Sequence, residues 1–138
     1  MSKLDEIIET FQLVDPPIRL ELLLDYAGSL PPLPDALKAQ RDAGLGRVHE
    51  CQSPVFVFPR VDDGTVALHA WAPSEAPTAR AFVSLLIDAL DGATPDDVAA
   101  IPDDLLHRLG IGQQLGMTRQ QGLAGVLYRV KHGVAEAT

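Results

Sequence analysis

The stretch "PVFVFPRVDDGTVALHAWA", residues Pro54–Ala72, decides the fold class of this 138-residue chain. It contains two apolar runs, Pro54–Val61 and Thr65–Ala72, that are rich in strand-forming residues. β-branched and aromatic residues favour strands, and the intervening Asp62-Asp63-Gly64 includes a glycine that tolerates the positive φ of a tight turn. The stretch therefore predicts an antiparallel β-hairpin.

The predicted hairpin has a proline in its first strand and a further strand candidate beside it. Pro59 lacks a backbone N–H, so we expect its strand to lie at an edge of the sheet or to contain a bulge. A third short strand is predicted from Gly46 to Glu50. Together these segments predict a small antiparallel sheet of about three strands.

Helices are predicted on both sides of this sheet, because apolar residues recur there at a spacing of three or four. Ser2 with Asp5 and Thr94 with Asp97 have the spacing of capping boxes, which mark helix starts. The predicted helices are one after Ser2, Asp15–Gly28, Asp35–Ala43, Ser74–Leu90, one after Thr94, Pro102–Gly110 and one after Thr118. Helices before and after a compact sheet predict an α+β fold in a single domain, residues 1–138.

The charge balance argues against two classes of partner. Nineteen acidic residues against eleven basic ones give a formal net charge of −8, whereas phosphate binding requires clustered lysines and arginines. The same balance disfavours an anionic membrane surface, and no apolar run approaches the ~20 residues of a membrane span. We therefore expect neither nucleic acid nor a membrane as a partner.

The cysteine count bears on the cellular compartment. A single cysteine cannot form an internal disulfide, and the N-terminus shows no basic segment followed by an apolar one. Both observations predict a cytoplasmic protein.

The sequence contains no motif that is typical of a metal or nucleotide site. The four histidines form no H-x₃-H pair, and only His49 lies near the cysteine. Zinc sites need three or four ligands at characteristic spacings, so no metal site is predicted. The segment "GIGQQLG" at 110–116 follows no strand and lacks the spacing of a nucleotide-binding loop, so we interpret it as a connection between helices.

Cys51 is the one residue whose chemistry the sequence singles out. Cysteine is among the most buried residue types, which favours a structural role. Its neighbours His49, Glu50, Gln52 and Ser53 are all polar, however, which predicts a loop with an exposed or half-covered thiol. His49 would favour the reactive thiolate and Glu50 would oppose it. From these residues alone, a functional and a structural Cys51 are about equally compatible with the sequence.

Five segments of the chain, taken together, resemble the SufE family. The segment "RVHECQS" (Arg47–Ser53) is close to the family's "RVxGCQS". The other four follow in family order and at family spacing: "LPPLP" (Leu30–Pro34), "SEAPTARAFVSLL" (Ser74–Leu86), "TPDDV" (Thr94–Val98) and "LGMTRQQGLAGV" (Leu115–Val126). Each match is weak by itself, but the ordered set extends over nearly the whole chain.

The resemblance implies a fold and a function. The expected fold is the compact α+β fold of IscU-like iron–sulfur scaffold proteins, with Cys51 on a loop beside the sheet. The expected function is that of a sulfur acceptor for a SufS-type cysteine desulfurase, a pyridoxal-phosphate enzyme. In this role Cys51 takes the persulfide sulfur, stimulates the desulfurase, and passes sulfur towards cluster assembly, with a Suf scaffold as a second partner. The protein would then be a sulfur-transfer partner rather than an independent enzyme, and would need no cofactor of its own.

The resemblance also assigns roles to individual residues. Cys51 is the expected sulfur acceptor, and Gln52 and Ser53 are expected to shape its loop. Arg119 matches the arginine of the family's C-terminal "SRxxGL" segment and is the expected stabiliser of a thiolate or persulfide anion. Two residues depart from the family pattern: Glu50 stands where glycine is common, and Pro54 replaces a strand-compatible residue.

Two other functions are compatible with the sequence. One is a hydrolase or transferase in which His49 activates Cys51, although no third orienting residue is apparent. The other is a protein-interaction module in which Cys51 has no chemical role.

Overall fold

The structure is a computed structural model that describes residues 2–138; the first residue of the predicted domain lies outside this range. It has the α+β architecture that the sequence predicts. Its elements are α1 (Lys3–Gln12), α2 (Pro16–Asp25), α3 (Asp35–Asp42), β1 (Phe56–Asp62), β2 (Thr65–Trp71), α4 (Pro77–Ala89), α5 (Pro95–Ala99), α6 (Leu105–Arg108) and α7 (Met117–Glu136), with 3₁₀ turns at Tyr26–Ser29 and Gly112–Gln114.

The predicted hairpin is confirmed. Strands β1 and β2 pair in antiparallel register from Phe56 opposite Trp71 to Asp62 opposite Thr65. The two turn residues both have positive φ, 50° at Asp63 and 76° at Gly64, as a two-residue hairpin turn that matches the strand twist requires. Since the described sheet has two strands, the strand that contains Pro59 is an edge strand, as predicted.

The predicted third strand, Gly46 to Glu50, is wrong. Only Arg47 pairs with the sheet, through an isolated bridge to Phe56. Two backbone bonds flank this bridge: the Val57 N–H bonds to the Gly46 carbonyl at 2.9 Å, and the Val48 N–H bonds to the Val55 carbonyl at 2.8 Å. Beyond them the Cys51 N–H bonds back to the Val48 carbonyl at 3.2 Å, which turns the chain, so the residues after Val48 form a loop instead of a ladder.

Helix α4 forms the centre of the core. Six consecutive residues, Ala81–Leu86, are buried, because β2, α2 and α7 pack around the helix. The prediction that Ser74 caps this helix is wrong by two residues. The helix begins at Pro77, because the first helical position needs no backbone N–H donor and proline suits it.

Helix α7 packs against β1 and α5 with the predicted apolar face. Leu123, Val126, Leu127 and Val130 are all buried, as their helical spacing indicates. Thr118 is not the N-cap that the sequence predicts. Gly116 is the N-cap, so the helix begins two residues earlier than predicted, at Met117. The amide of Gln120 fixes the preceding turn by donating to the carbonyls of residues 112 and 115 at 2.7 and 2.9 Å.

The remaining helix predictions are confirmed in part. Both capping boxes, at Ser2 and Thr94, are present. Asp15 precedes α2 but makes no side-chain capping bond, and the helix ends at Asp25, followed by a 3₁₀ turn that contains Gly28. The helix expected from Pro102 is shortened to Leu105–Arg108. None of the described helices is both long enough and apolar enough to cross a membrane.

Candidate functional site

The loop that carries Cys51 is fixed at its base by buried residues. Val48 and Val55 are fully buried and face each other through the 2.8 Å backbone bond that closes the loop. A second short turn lies inside it, where the Val55 N–H bonds to the Ser53 carbonyl at 2.9 Å. The base is therefore anchored in the core, while the residues between these valines follow the surface of α7.

Cys51 is buried against α7, contrary to the expectation of an exposed or half-covered thiol. Its exposure is 9%, and its thiol donates a hydrogen bond to the carbonyl oxygen of Gly122 at 3.3 Å. The neighbouring side chains of His49, Glu50 and Gln52 are exposed, as their polarity suggests. The polarity of its neighbours thus gave a wrong prediction of the exposure of Cys51. The loop turns this one side chain inward against α7, where its partner Gly122 lies 71 positions further along the chain.

A pocket of about 190 Å³ opens beside the thiol, between the cysteine loop and the first turns of two helices. The loop contributes Cys51, Gln52 and Ser53, and α7 contributes Arg119. The other lining residues are Glu75–Ala79 at the start of α4, with Thr118, Gly122 and Leu123 of α7. The structure therefore brings together Cys51, Gln52, Ser53 and Arg119 around one space that is large enough for a small group on the sulfur.

His49 and Glu50 do not line this pocket. His49 is exposed, and the hydrogen bond of the Cys51 thiol is directed to Gly122 instead of to an imidazole. The arrangement gives no support to a Cys51–His49 nucleophile pair, since a general base must lie within hydrogen-bond reach of the thiol.

The surroundings of Cys51 hold its thiol in the neutral form. Burial, followed by the negative charge of Glu50, raises the pKa of Cys51 to about 11. Arg47 is the cation that opposes this shift, and its lowering of the pKa of Cys51 is the smallest of the three effects. At pH 7 about one thiol in 10⁴ is then ionised, which makes the resting thiol a poor nucleophile.

Arg119 lies in the first turn of α7 and is exposed at the pocket. Among residues 2–138 it forms no ion pair with a carboxylate. The first turn of a helix is an unfavourable place for a cation. The role of Arg119 as a stabiliser of a sulfur anion stays a prediction. Its position on the pocket wall is compatible with that role.

Glu50 is held on α7 by an ion pair that the sequence did not predict. Its Oε1 accepts a hydrogen bond from Nη2 of Arg129 at 3.1 Å, and this bond is the main cause that lowers the pKa of Glu50. The side chain of Glu50 lies across Gly125, where a Cβ would come within 2.5 Å of the Glu50 Cβ. Glu50 does not adopt the positive φ that the family's glycine would allow; of the described non-glycine residues, only Asp63 does.

Two glycines of α7 carried the signal that sequence reasoning missed. Gly122 and Gly125 lie three residues apart, so they share a helix face, and glycine is costly inside a helix. A Cβ on Gly122 would lie 3.2 Å from the Cys51 sulfur. The pair marks the place where the cysteine loop approaches the helix. Arg129 gave no comparable signal, because its partner lies 79 positions away in sequence.

Among residues 2–138, no group of three or more histidine, cysteine, aspartate or glutamate side chains is arranged to hold a metal ion.

The fold and the site define a small α+β protein with one thiol, held on a loop against its C-terminal helix. The chain belongs to the SufE family: the family model, described as "Fe-S metabolism associated domain", matches residues 5–134. This confirms the resemblance that the five sequence segments indicated, and it connects the chain with sulfur transfer in iron–sulfur metabolism.

Individual relatives support this assignment. An uncharacterized SufE-like protein of Mycobacterium tuberculosis is 37% identical over 137 residues, which cover 99% of this chain and 94% of the relative. The cysteine desulfuration protein SufE of Plasmodium falciparum is 25% identical over 134 residues, which cover 94% of this chain and 52% of the relative. The solution structure of a hypothetical protein from Thermus thermophilus matches with a TM-score of 0.84 and 35% identity, over 99% of this chain and 98% of that one.

Proposed function

We propose that this protein is a sulfur acceptor and carrier that takes the persulfide sulfur of a SufS-type cysteine desulfurase onto Cys51. The observation that carries the proposal is the position of the chain's one cysteine: its side chain lines a small pocket beside Arg119. A sulfur bound to Cys51 would lie at that pocket. With no second cysteine in the chain, nothing within the same molecule can convert a Cys51 persulfide into a disulfide.

The transfer is a thiol–disulfide type of exchange whose atoms and charge balance without a further reactant. The Cys51 thiolate attacks the outer sulfur of the desulfurase persulfide. A bond forms between that sulfur and the Cys51 Sγ, and the bond to the desulfurase cysteine breaks, so that this cysteine leaves as a thiolate. Cys51 ends as the persulfide. Removal of the sulfur frees the desulfurase for its next turnover, which would appear as stimulation.

The resting geometry supports a transfer that takes place on docking to the partner. A thiol with a pKa of about 11 that is 9% exposed reacts slowly with solutes at neutral pH. Docking must therefore expose Cys51 and favour its thiolate. Arg119 is the cation on the pocket wall that we assign to stabilising the negative charge of the thiolate and of the resulting persulfide.

Transfer of sulfur from a persulfide to a thiolate needs neither a metal nor a cofactor on the acceptor, and the desulfurase contributes its own pyridoxal phosphate. The accepted sulfur would pass onward to iron–sulfur cluster assembly, with a Suf scaffold as the receiving partner. We propose the cytoplasm as the compartment, where thiols are kept reduced.

A sulfur-transfer assay tests the proposal. The protein is incubated with a desulfurase, pyridoxal phosphate and cysteine, and its intact mass is measured. We expect the mass of one sulfur atom on the wild type and none on Cys51→Ser. A wild type without the adduct, or an equal adduct on Cys51→Ser, contradicts the proposal. Binding and stimulation of the desulfurase are measured separately, so that docking alone is not mistaken for transfer.

A further inference from the structure

The cysteine loop contacts α7 at two points that lie on one face of the helix. Cys51 contacts Gly122 through its thiol, and Glu50 contacts Arg129 through its carboxylate. Between them, Gly125 provides the space in which the Glu50 side chain lies. Positions 122, 125 and 129 are separated by three and four residues, so they form one continuous stripe along the helix.

Exchange with another molecule is restricted while the loop lies on this stripe. The pocket reaches Cys51 from one side, but an incoming persulfide must approach the Cys51 Sγ along a free direction, and the sulfur is buried and hydrogen-bonded to the Gly122 carbonyl. The base of the loop is fixed by Val48 and Val55. Fuller access to the sulfur therefore requires the residues between these valines to lift from α7, which breaks both contacts.

The ion pair is the stronger of the two contacts. A thiol is a weak hydrogen-bond donor, whereas the contact between Glu50 and Arg129 joins two opposite charges. In the described residues the side chain of Arg129 makes one hydrogen bond, the one to Glu50, and its Nε is buried without a partner. Arg129 thus has its hydrogen-bonding partner on the cysteine loop and not on its own helix.

We propose that the Glu50–Arg129 ion pair is a latch that holds the cysteine loop on α7, and that Arg129 and Gly125 are positioning residues that set how often Cys51 is accessible. Opening the latch also takes Cys51 out of the environment whose burial keeps its thiol neutral. A partner that binds Glu50 or Arg129 would therefore expose the sulfur and activate it in one step. The identity of that partner rests on the proposed function, but the latch itself does not.

Alkylation of the free protein tests the latch without a desulfurase. The full chain reacts with iodoacetamide at neutral pH, and the rate at Cys51 is followed by intact mass. An exposed ion pair contributes little, so we expect Arg129→Gln to react about two- to fivefold faster than the wild type. Arg129→Lys, which keeps a positive donor near Glu50, should react at close to the wild-type rate.

Two further variants act as a second probe and a control. Gly125→Ala should also react faster, because its Cβ would collide with Glu50, although alanine favours the helix. Arg60→Gln breaks a comparable exposed pair with Asp62 in β1 and should leave the rate unchanged. It is a matched loss of one arginine and one ion pair away from the loop.

The sign of the Arg129→Gln effect separates the latch from a purely electrostatic role. If only charge mattered, removal of Arg129 would leave the Glu50 carboxylate unneutralised, which raises the pKa of Cys51 and slows alkylation. A slower or unchanged rate for Arg129→Gln therefore overturns the latch. So does a faster rate that is fully explained by an equal loss of global stability in urea unfolding.

The outcomes remain separable from those of the sulfur-transfer assay. Faster alkylation of the latch variants together with no sulfur on Cys51 supports the latch and contradicts the proposed function. Sulfur transfer together with an unchanged alkylation rate supports the proposed function and contradicts the latch. In the first case, the loop protects a thiol that reacts with a partner other than a desulfurase.

Discussion

The thiol of Cys51 and the carbonyl of Gly122 are joined by a 3.3 Å hydrogen bond that connects the cysteine loop to the C-terminal helix. This contact exists because position 122 has no side chain: a Cβ there would lie 3.2 Å from the sulfur. The resting state of the protein is therefore one in which its single thiol is covered.

Replacement of Gly122 should loosen the cover directly. In Gly122→Ala the added Cβ forces the sulfur to move by a few tenths of an ångström, while the helix gains about 1 kcal/mol of intrinsic propensity. We expect Cys51 to be alkylated faster with little change in the free energy of unfolding. Gly116→Ala, where nothing lies within 4 Å of the new Cβ, is the matched control. Equal alkylation rates in both variants would show that the close contact has no effect on access.

The charge of Glu50 should be visible in the titration of Cys51. Glu50→Gln removes the second cause that raises the pKa of the thiol, so the pKa of Cys51 should fall below its wild-type value of about 11. The ultraviolet absorbance of the thiolate measures this. Glu75→Gln removes a carboxylate that also lines the pocket but does not raise this pKa. A Glu50→Gln curve that coincides with the wild-type curve would contradict the assignment.

The buried thiol should also make stability depend on pH in the alkaline range. Because its pKa is raised in the folded state, folding retains a proton that the unfolded chain loses, and stability falls as pH rises from about 9 to about 11. Two pKa units correspond to about 2–3 kcal/mol. Other groups titrate there too, so the quantity to measure is the difference in unfolding free energy between the wild type and Cys51→Ser. A difference that is constant between pH 7 and 11 would refute this prediction.

The packing of α7 on the hairpin should be sensitive at Gly133. A Cβ there would lie 2.4 Å from the Cγ of Pro59, a ring that cannot rotate away, so Gly133→Ala should cost about 1–3 kcal/mol of stability. Gly28→Ala, which meets nothing within 4 Å, should cost much less. Urea unfolding of the two variants measures the difference, and equal midpoints would contradict the close packing.

Arg119 should matter for transfer but not for the covered state. Arg119→Gln removes the cation on the pocket wall, so sulfur transfer from a desulfurase should slow by up to about tenfold, the effect of one modest charge interaction. Arg108→Gln, which loses an exposed arginine paired with Asp104, is the control. Unchanged transfer in Arg119→Gln would remove Arg119 from the site, whereas an equal loss in both variants would indicate a general effect of charge.

The sequence predicted those parts of the fold that depend on local patterns. The hairpin followed from Asp63-Gly64 between two apolar runs, and the buried face of α7 followed from the spacing of Leu123, Val126 and Val130. The capping boxes at Ser2 and Thr94 also followed from a local pattern, because each joins two residues three positions apart. These features depend on residues only a few positions apart, so one sequence is sufficient to infer them.

The site was less predictable, because its defining contacts join distant parts of the chain. The residues around Cys51 are polar, and their pattern indicated an exposed loop. The burial of Cys51 depends on its contact with Gly122, which lies 71 positions later in the chain. The expected third strand failed for a related reason, since the residues after Val48 form the turn that places Cys51 against α7. The ion pair to Arg129 has no local signature either.

A single-turnover transfer shows whether Cys51 accepts sulfur. A desulfurase is loaded with persulfide, freed of cysteine, and mixed with this protein; both proteins are then digested and their cysteine peptides analysed by mass spectrometry. We predict that one sulfur atom moves to the peptide containing Cys51 and that the desulfurase cysteine returns to a thiol. Sulfur that stays on the desulfurase, or leaves it without appearing on Cys51, would contradict the role of Cys51 as sulfur acceptor.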